Sequence, residues 1–241
     1  MDYFKLYADF LKKFWHPKRP LKIVFDSSNG TTGLVLEKLF ADKQIGAEAV
    51  FLNARPDGNF PAHGPNPLAK GALDQLGSEV VKTKSDFGAA FDADGDRVFF
   101  MDNLGRPVEP AVTTILLATR FRGDVAMPAN MGPFVRTMLA KKGHRIVDAR
   151  VGHYFVKKLM KEKKLAFGSE QSGHYYFQKF FDLDSGIFAA IELADALSEL
   201  PGTLAEWIDQ LPPHCISEEI NFVVHDKAEA MAELRRRVDV V

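Results

Sequence analysis

Three carboxylates occupy alternate positions in Phe91-Asp92-Ala93-Asp94-Gly95-Asp96-Arg97, directly after an apolar run. Gathering Asp92, Asp94 and Asp96 on one side of a tight loop brings like charges together, and a bound cation relieves that repulsion. An oxygen-only donor set suits a hard ion, Mg²⁺ or Ca²⁺, and offers nothing soft for zinc. The EF-hand calcium loop fails on spacing: counted from Asp92, its glycine and glutamate positions hold Arg97 and Asn103. Mg²⁺ takes few protein carboxylates and leaves room for phosphate oxygens, and the Arg97 guanidinium beside the loop complements a phosphate. The plain alternative is an acidic, solvated turn.

A second constellation is Gly168-Ser169-Glu170-Gln171-Ser172-Gly173-His174. A carboxylate, a hydroxyl and an imidazole set between glycines can approach a polyhydroxylated ligand closely through Glu170, Ser172 and His174. An ordinary strand-connecting loop is the alternative. The third is Val151-Gly152-His153-Tyr154 at an expected strand-to-helix junction. Alone, His153 reads as a structural histidine; with His174 it becomes a candidate for proton transfer or phosphate binding near neutral pH.

These segments need elements to carry them. Short β-rich runs alternate with helical patterns, which is the signature of βαβ units and mainly parallel sheets. Leu21–Phe25, Ala49–Leu52 and Phe87–Phe91 read as strands, with helices expected after Gly33 and around Ala69–Leu76. Val98–Met101 and Pro107–Val108 flank a hairpin-like Asp102-Asn103-Leu104-Gly105. The pattern then restarts. Strands are expected at Asp124–Met127, Arg145–Asp148, Leu165–Phe167 and Tyr175–Phe177, and helices at Val135–Lys142 and Val156–Lys161. Ile187, Ala190, Ile191, Ala194 and Leu197 then recur on one helical face until Pro201-Gly202 stops it. The expected fold is α/β: two consecutive α/β/α domains with mixed, mainly parallel sheets, spanning residues 1–118 and 119–213. A short C-terminal stub, residues 214–241, follows with a strand-like ISEEINFVV and a charged helical tail.

Composition excludes several function classes. The chain has 241 residues with 31 Lys plus Arg and 32 Asp plus Glu, a formal charge of −1. No global basic field exists to hold nucleic acid. With 20 Phe and 46% hydrophobic residues, disorder is excluded too. One cysteine, Cys215, forms neither an internal disulfide nor a metal pair. Charges at Asp2, Lys5, Asp9 and Lys12 interrupt the N-terminal segment, which is neither signal peptide nor membrane span. These features point to the cytoplasm. The apolar positions Phe4, Leu6, Phe10 and Phe14 form an expected docking face.

Together the motifs resemble the α-D-phosphohexomutase family, the phosphomannomutases and phosphoglucomutases. LKIVFDSSNGTTG is similar to the opening strand and turn of the family's second domain, and RPDGNFPAHGPNP to its DGxFPxHxPNP loop. FDADGDR resembles the metal-binding DxDxDR loop, GSEQSGH the sugar-binding loop and VGHYFVKK the GHxxIK segment. The resemblance implies that Asp92, Asp94 and Asp96 bind Mg²⁺ and that Arg97 sits beside a phosphoryl group. It further implies that Glu170 and Ser172 hold sugar hydroxyls and that His174 lies close to the reacting end. His153 would line the cleft with acid–base duties. The implied reaction moves a phosphoryl group between the 1- and 6-hydroxyls of mannose or glucose phosphates through a bisphosphate.

The family's phosphorylated serine lies in a T-A-S-H-N-P type motif, and none of the nine serines here is followed by His. Its R-x-S-N-T-E-P type phosphate clamp is also absent from these residues, and Asn130 stands where hexose mutases often carry a cleft lysine. The expectation is therefore the central, Mg²⁺- and sugar-binding part of such a mutase, truncated and inactive or nearly so alone. A component of a split enzyme, with a separate chain supplying the phosphoserine domain, and a non-catalytic Mg²⁺/phosphosugar-binding module are the alternatives. An aspartyl-phosphate hydrolase is a further one, because D-x-D motifs serve that chemistry as well.

Overall fold

The computed structural model describes residues 1–42, 45–214 and 222–237. Two buried apolar runs, Leu21–Asp26 (β1) and Phe87–Phe91 (β3), form the centre of the first sheet, which β2 (Ala47–Leu52) extends on one side. β1 pairs in parallel with both β2 and β3. Parallel neighbours need crossovers, and the helices α2 (Thr32–Phe40) and α3 (Asp74–Thr83) supply them. The sheet then turns antiparallel through β4 (Val98–Met101) and β5 (Pro107–Val108), in the order β2-β1-β3-β4-β5. The carboxylate-rich segment is the short connection between β3 and β4, at the carboxyl end of a buried parallel strand.

The second unit repeats the plan. β6 (Val125–Pro128) lies between β7 (Ile146–Ala149) and β8 (Phe167–Ser169), parallel to both. β9 (Tyr175–Phe177) and β10 (Leu183–Asp184) continue antiparallel, in the order β10-β9-β8-β6-β7. The helices are α4 (Pro110–Ala118), α5 (Gly132–Lys141), α6 (His153–Lys163), α7 (Gly186–Ser198) and α8 (Leu204–Asp209). Both units are thus α/β/α with five-stranded mixed sheets, as the alternation of patterns required. The helix α4 packs on α5 and α7, so its side chains join the core of the second unit.

α7 explains how the units stay together. Every residue of it is buried, and its Ser185 cap accepts from Phe188 N at 3.2 Å. One continuous apolar cluster runs from β1, β3 and β4 through α4 and α7 to β6, β8 and β9. Phe100 and Tyr175, one from each sheet, meet at 6.3 Å between ring centroids. Truncating a fully buried ring such as Phe188 removes about 3–5 kcal/mol.

The first helix, α1 (Tyr3–Lys12), has Asp2 accepting from Lys5 N as its cap. Its expected docking face divides. Phe4 and Leu6 are exposed, whereas Phe10 and Phe14 pack inward, Phe10 stacking on Phe181 at 5.7 Å and Phe14 edge-on to Phe188 at 5.0 Å. Trp15 is a packing residue, its indole donating to Ile45 O at 2.7 Å. Just beyond, His16 N donates to Asp195 Oδ1 at 2.9 Å and Lys18 N to Ser198 Oγ at 2.8 Å, tying the first unit to α7.

Two local expectations are corrected. The helix expected at Ala69–Leu76 begins at Asp74, because residues 66–73 fold as successive turns and Gly71 takes φ +81°. Leu76 and Val80 then bury against Val24 and Ala90. The strand expected at Leu165–Phe167 runs over Phe167–Ser169, since its register against β6 starts at Val125↔Phe167. The strand-like ISEEINFVV falls largely on residues 215–221, outside the described residues; α9 (Lys227–Arg237) follows with no buried residue.

Candidate functional site

The carboxylate loop is built from the inside. Asp92 continues buried β3 and is itself 3% exposed. Its Oδ1 accepts from Gly95 N at 3.0 Å and Arg97 N at 3.2 Å, and its Oδ2 accepts from Arg97 Nε at 2.6 Å. Gly95 adopts φ +77°, and a Cβ there would meet Thr32 Cγ2 at 2.2 Å, so only glycine fits this turn. Asp94 points outward and is exposed; Asp96 is half-buried. One oxygen from each of Asp92, Asp94 and Asp96 lies within 4.8 Å of the others. Three convergent carboxylates without nitrogen or sulfur match the hard, oxygen-loving ion expected from the sequence.

The sugar-type loop is the connection between β8 and β9 in the other sheet. Glu170 N donates to His174 O at 3.0 Å and Gly173 N to Glu170 O at 3.1 Å, closing a tight turn in which Gly173 has φ +87°. The Glu170 side chain is buried, with Oε1 accepting from Gly152 N at 2.8 Å and Oε2 accepting from the Tyr176 hydroxyl. Ser172 Oγ and His174 Nδ1 are 2.8 Å apart. Gly152, at φ +117°, precedes α6 and so links the third motif to this loop.

The fold brings the two loops together. Arg97 and His174 form an isolated antiparallel bridge, Val98 N donates to Gly173 O at 3.1 Å, and Gly186 N donates to Gly95 O at 2.9 Å. The His174 Nε2 atom consequently lies 3.4 Å from Asp96 Oδ1. His153, exposed at the start of α6, has its ring centroid 6.3 Å from that of His174. All eight residues singled out from the sequence (Asp92, Asp94, Asp96, Arg97, His153, Glu170, Ser172 and His174) therefore share one neighbourhood. Asn130 borders it too, lining with Glu170, Gln171, Ser172, Phe99 and Phe100 a cavity of about 440 Å³.

The electrostatics separate the acids. Burial pushes the Asp92 carboxyl above its ordinary value, opposed by the hydrogen bonds from Arg97 and reinforced by Asp96. The hydrogen bond from His174 holds Asp96 below the ordinary carboxylate range, against its own partial burial. Burial by itself would lower His174, but pairing with Asp96, aided by Asp184 and Glu170, outweighs it and raises the imidazole. The Tyr176 hydroxyl is driven upward by burial and by the adjacent Glu170, so it stays a donor.

Two contributors, Tyr176 and Asp184, were not among the residues singled out from the sequence, and Gly152 of the third motif gains a contact its spacing did not indicate. Tyr176 anchors Glu170; Gly152 offers its backbone N–H to the same carboxylate; Asp184 pairs with Lys157 at 3.1 Å and comes within 4.8 Å of Asp96 and His153. Tyr176 lies in a β-patterned run, where sequence reads only packing, and Asp184 in the two-residue strand β10 just before the α7 cap.

A family model described as phosphoglucomutase/phosphomannomutase, alpha/beta/alpha domain II matches residues 3–105, and the corresponding domain III model matches residues 113–215. A phosphomannomutase/phosphoglucomutase from Pseudomonas syringae pv. tomato is 34% identical over 214 residues, 86% of this chain and 46% of that protein. The crystal structure of a phosphoglucomutase/phosphomannomutase family protein from Burkholderia thailandensis superposes with TM-score 0.80 at 27% identity, over 88% of this chain and 47% of that one. An Aspergillus fumigatus N-acetylphosphoglucosamine mutase, solved in complex with GlcNAc-6P and magnesium, shares the fold at TM-score 0.61 and 17% identity, over 86% and 52% of the two chains. The chain spans about half the length of the curated relatives it matches. Among the described residues, no helix is long and apolar enough to cross a membrane.

Proposed function

The chain belongs to the phosphoglucomutase/phosphomannomutase family, whose members are phosphohexomutases, and from that premise we propose that it carries the metal- and sugar-binding part of such an enzyme. The observation that supports this reading is the backbone bridge between the two loops, which sets a three-carboxylate cluster against a Glu170–Ser172–His174 cluster. In this reading Asp92, Asp94 and Asp96 hold Mg²⁺, and the first and second α/β/α units serve as the second and third domains of the family plan. When bound, the ion neutralises charge on the phosphoryl oxygens.

The chain's own side chains do the rest. Arg97, fixed by Asp92, presents its remaining guanidinium nitrogens to the phosphoryl group. Glu170, held from two sides, accepts from a sugar hydroxyl, and Ser172 adds a second polar contact. His174, oriented by Ser172 at Nδ1 and Asp96 at Nε2, is placed to take or return the proton of the reacting hydroxyl. His153 lines the same opening. The ligand is a hexose phosphate, mannose or glucose 1- or 6-phosphate, together with its bisphosphate.

None of the nine serines carries the phosphoserine motif, so the phosphoryl donor in this proposal comes from outside these 241 residues. Calorimetry of the purified chain should register Mg²⁺ and hexose-phosphate binding. A mutase assay with mannose 1-phosphate, Mg²⁺ and a bisphosphate primer should give turnover at background. Robust turnover by these residues alone would overturn the need for an external serine.

A further inference from the structure

The sequence contains one further motif, RPDGNFPAHGPNP, that the site above leaves without a task. Its His63 reaches back to the first strand, where Nε2 donates to Asp26 Oδ2 at 3.0 Å. Asp26 is fully buried at the end of β1. Its other oxygen accepts from Asn53 Nδ2 at 3.0 Å and Ser28 N at 2.9 Å. A buried carboxylate needs such donors, but the histidine is an odd choice for stability alone. Its ring is 10% exposed, and its buried Nδ1 has no hydrogen-bond partner among the described residues, an unmade bond that a smaller or apolar side chain would avoid.

What Asp26 organises gives the pair a purpose. Ser28 and Asn29 hold φ +48° and +56°, a left-handed pair that non-glycine residues rarely adopt. In that conformation Ser28 Oγ donates to Phe91 O at 2.5 Å, and Thr31 N donates to Ala93 O at 3.1 Å. The two carbonyls so gripped lie on either side of Asp92. Gly30 lets the turn close down, since a Cβ there would stand 2.3 Å from Ala93 O. A continuous path thus runs from His63 through Asp26 and the 27–31 turn to the backbone that aims the first carboxylate.

We propose that Asp26 and His63 are positioning residues for the Asp92–Asp96 loop, holding it in its ion-binding shape through the 27–31 turn. The metal part of this inference rests on the proposed function; the loop-positioning part stands on the hydrogen bonds alone. Neither residue touches the ion.

The test compares wild type with His63→Leu, His63→Gln and Ser28→Ala, by amide hydrogen exchange in EDTA and by Mg²⁺ calorimetry. His63→Leu should speed exchange of the Thr31 and Gly95 amides and weaken Mg²⁺ binding by about threefold to tenfold, below the roughly 10–100-fold cost of losing an outer-shell partner. His63→Gln keeps an amide donor toward Asp26 and should recover most of both signals. Ser28→Ala, which cuts the path at Phe91, should behave as His63→Leu does. Unchanged loop exchange and Mg²⁺ affinity in His63→Leu would overturn the inference. So would faster exchange spread evenly over β1 and β3, which marks general destabilisation, or a glutamine variant as impaired as leucine. A wild type that binds no Mg²⁺ yet shows the exchange pattern would sink the metal reading and leave the loop-positioning path standing.

Discussion

Arg97 and His174, from opposite sheets, are paired as an antiparallel bridge, and their neighbours Val98 and Gly173 share a hydrogen bond of 3.1 Å. The metal-type loop and the sugar-type loop are therefore registered by backbone, alongside the side-chain contact of His174 with Asp96. Gly173 permits this: at φ +87°, its Cβ would meet Phe99 Cζ at 2.7 Å and Val98 O at 3.1 Å. Gly173→Ala is expected to destabilise the chain by about 1–3 kcal/mol. It should weaken hexose-phosphate binding more than Mg²⁺ binding, as read by thermal melts and paired titrations.

The exposed Asp94 separates metal binding from folding. Asp94→Asn should leave stability in EDTA within about 0.5 kcal/mol, as surface changes do, while lowering Mg²⁺ affinity about tenfold or more. Asp92→Asn should lose Mg²⁺ affinity and stability together, because Asp92 also fixes Arg97 and Gly95. Calorimetry and melts in EDTA check both.

Tyr176→Phe removes one of the two donors that hold the buried Glu170 carboxylate. A cost of about 1–3 kcal/mol follows from leaving that oxygen unpaired. Hexose-phosphate affinity should fall while Mg²⁺ affinity stays at the wild-type value; a variant that loses both equally would argue against a separate sugar-side role for Glu170.

Glu192 supplies a pH signature away from the site. It is fully buried on α7, 2.5 Å from Lys179 and 3.6 Å from Arg120, with Asp195 nearby. Burial raises its carboxyl above the ordinary 4.5 despite the two cations, and Asp195 is raised by burial too. A raised folded-state value means that the native chain holds the proton longer than the unfolded one. The contribution is then complete below 4.5 and is lost as pH climbs through the folded value. Subtracting Glu192→Gln melting curves from wild type should show that decline just above pH 4.5. A flat difference would refute the assignment.

Much of this protein was legible before folding was considered. Asp92, Asp94, Asp96 and Arg97 lie within one short segment, as do Glu170, Ser172 and His174, so their chemistry could be read from type and spacing. The strands followed from apolar runs, because a buried parallel strand must be apolar on both faces. Less was legible where local pattern competes with turn geometry. Gly71 delayed α3, and pairing with β6 rather than local composition set the start of β8. Phe10 and Phe14 resembled a free face until α7 and Phe181 covered them.

By itself, then, the sequence determined the kinds of groups present: a hard-ion loop, a sugar-type loop and two α/β/α units to carry them. Tertiary structure alone decided which of those groups meet. The contact of His174 with Asp96, the grip of Gly152 N on Glu170 and the path from His63 to Asp92 join residues apart in the chain. Such contacts depend on sheet register and on the shared burial of α7, which no local spacing encodes.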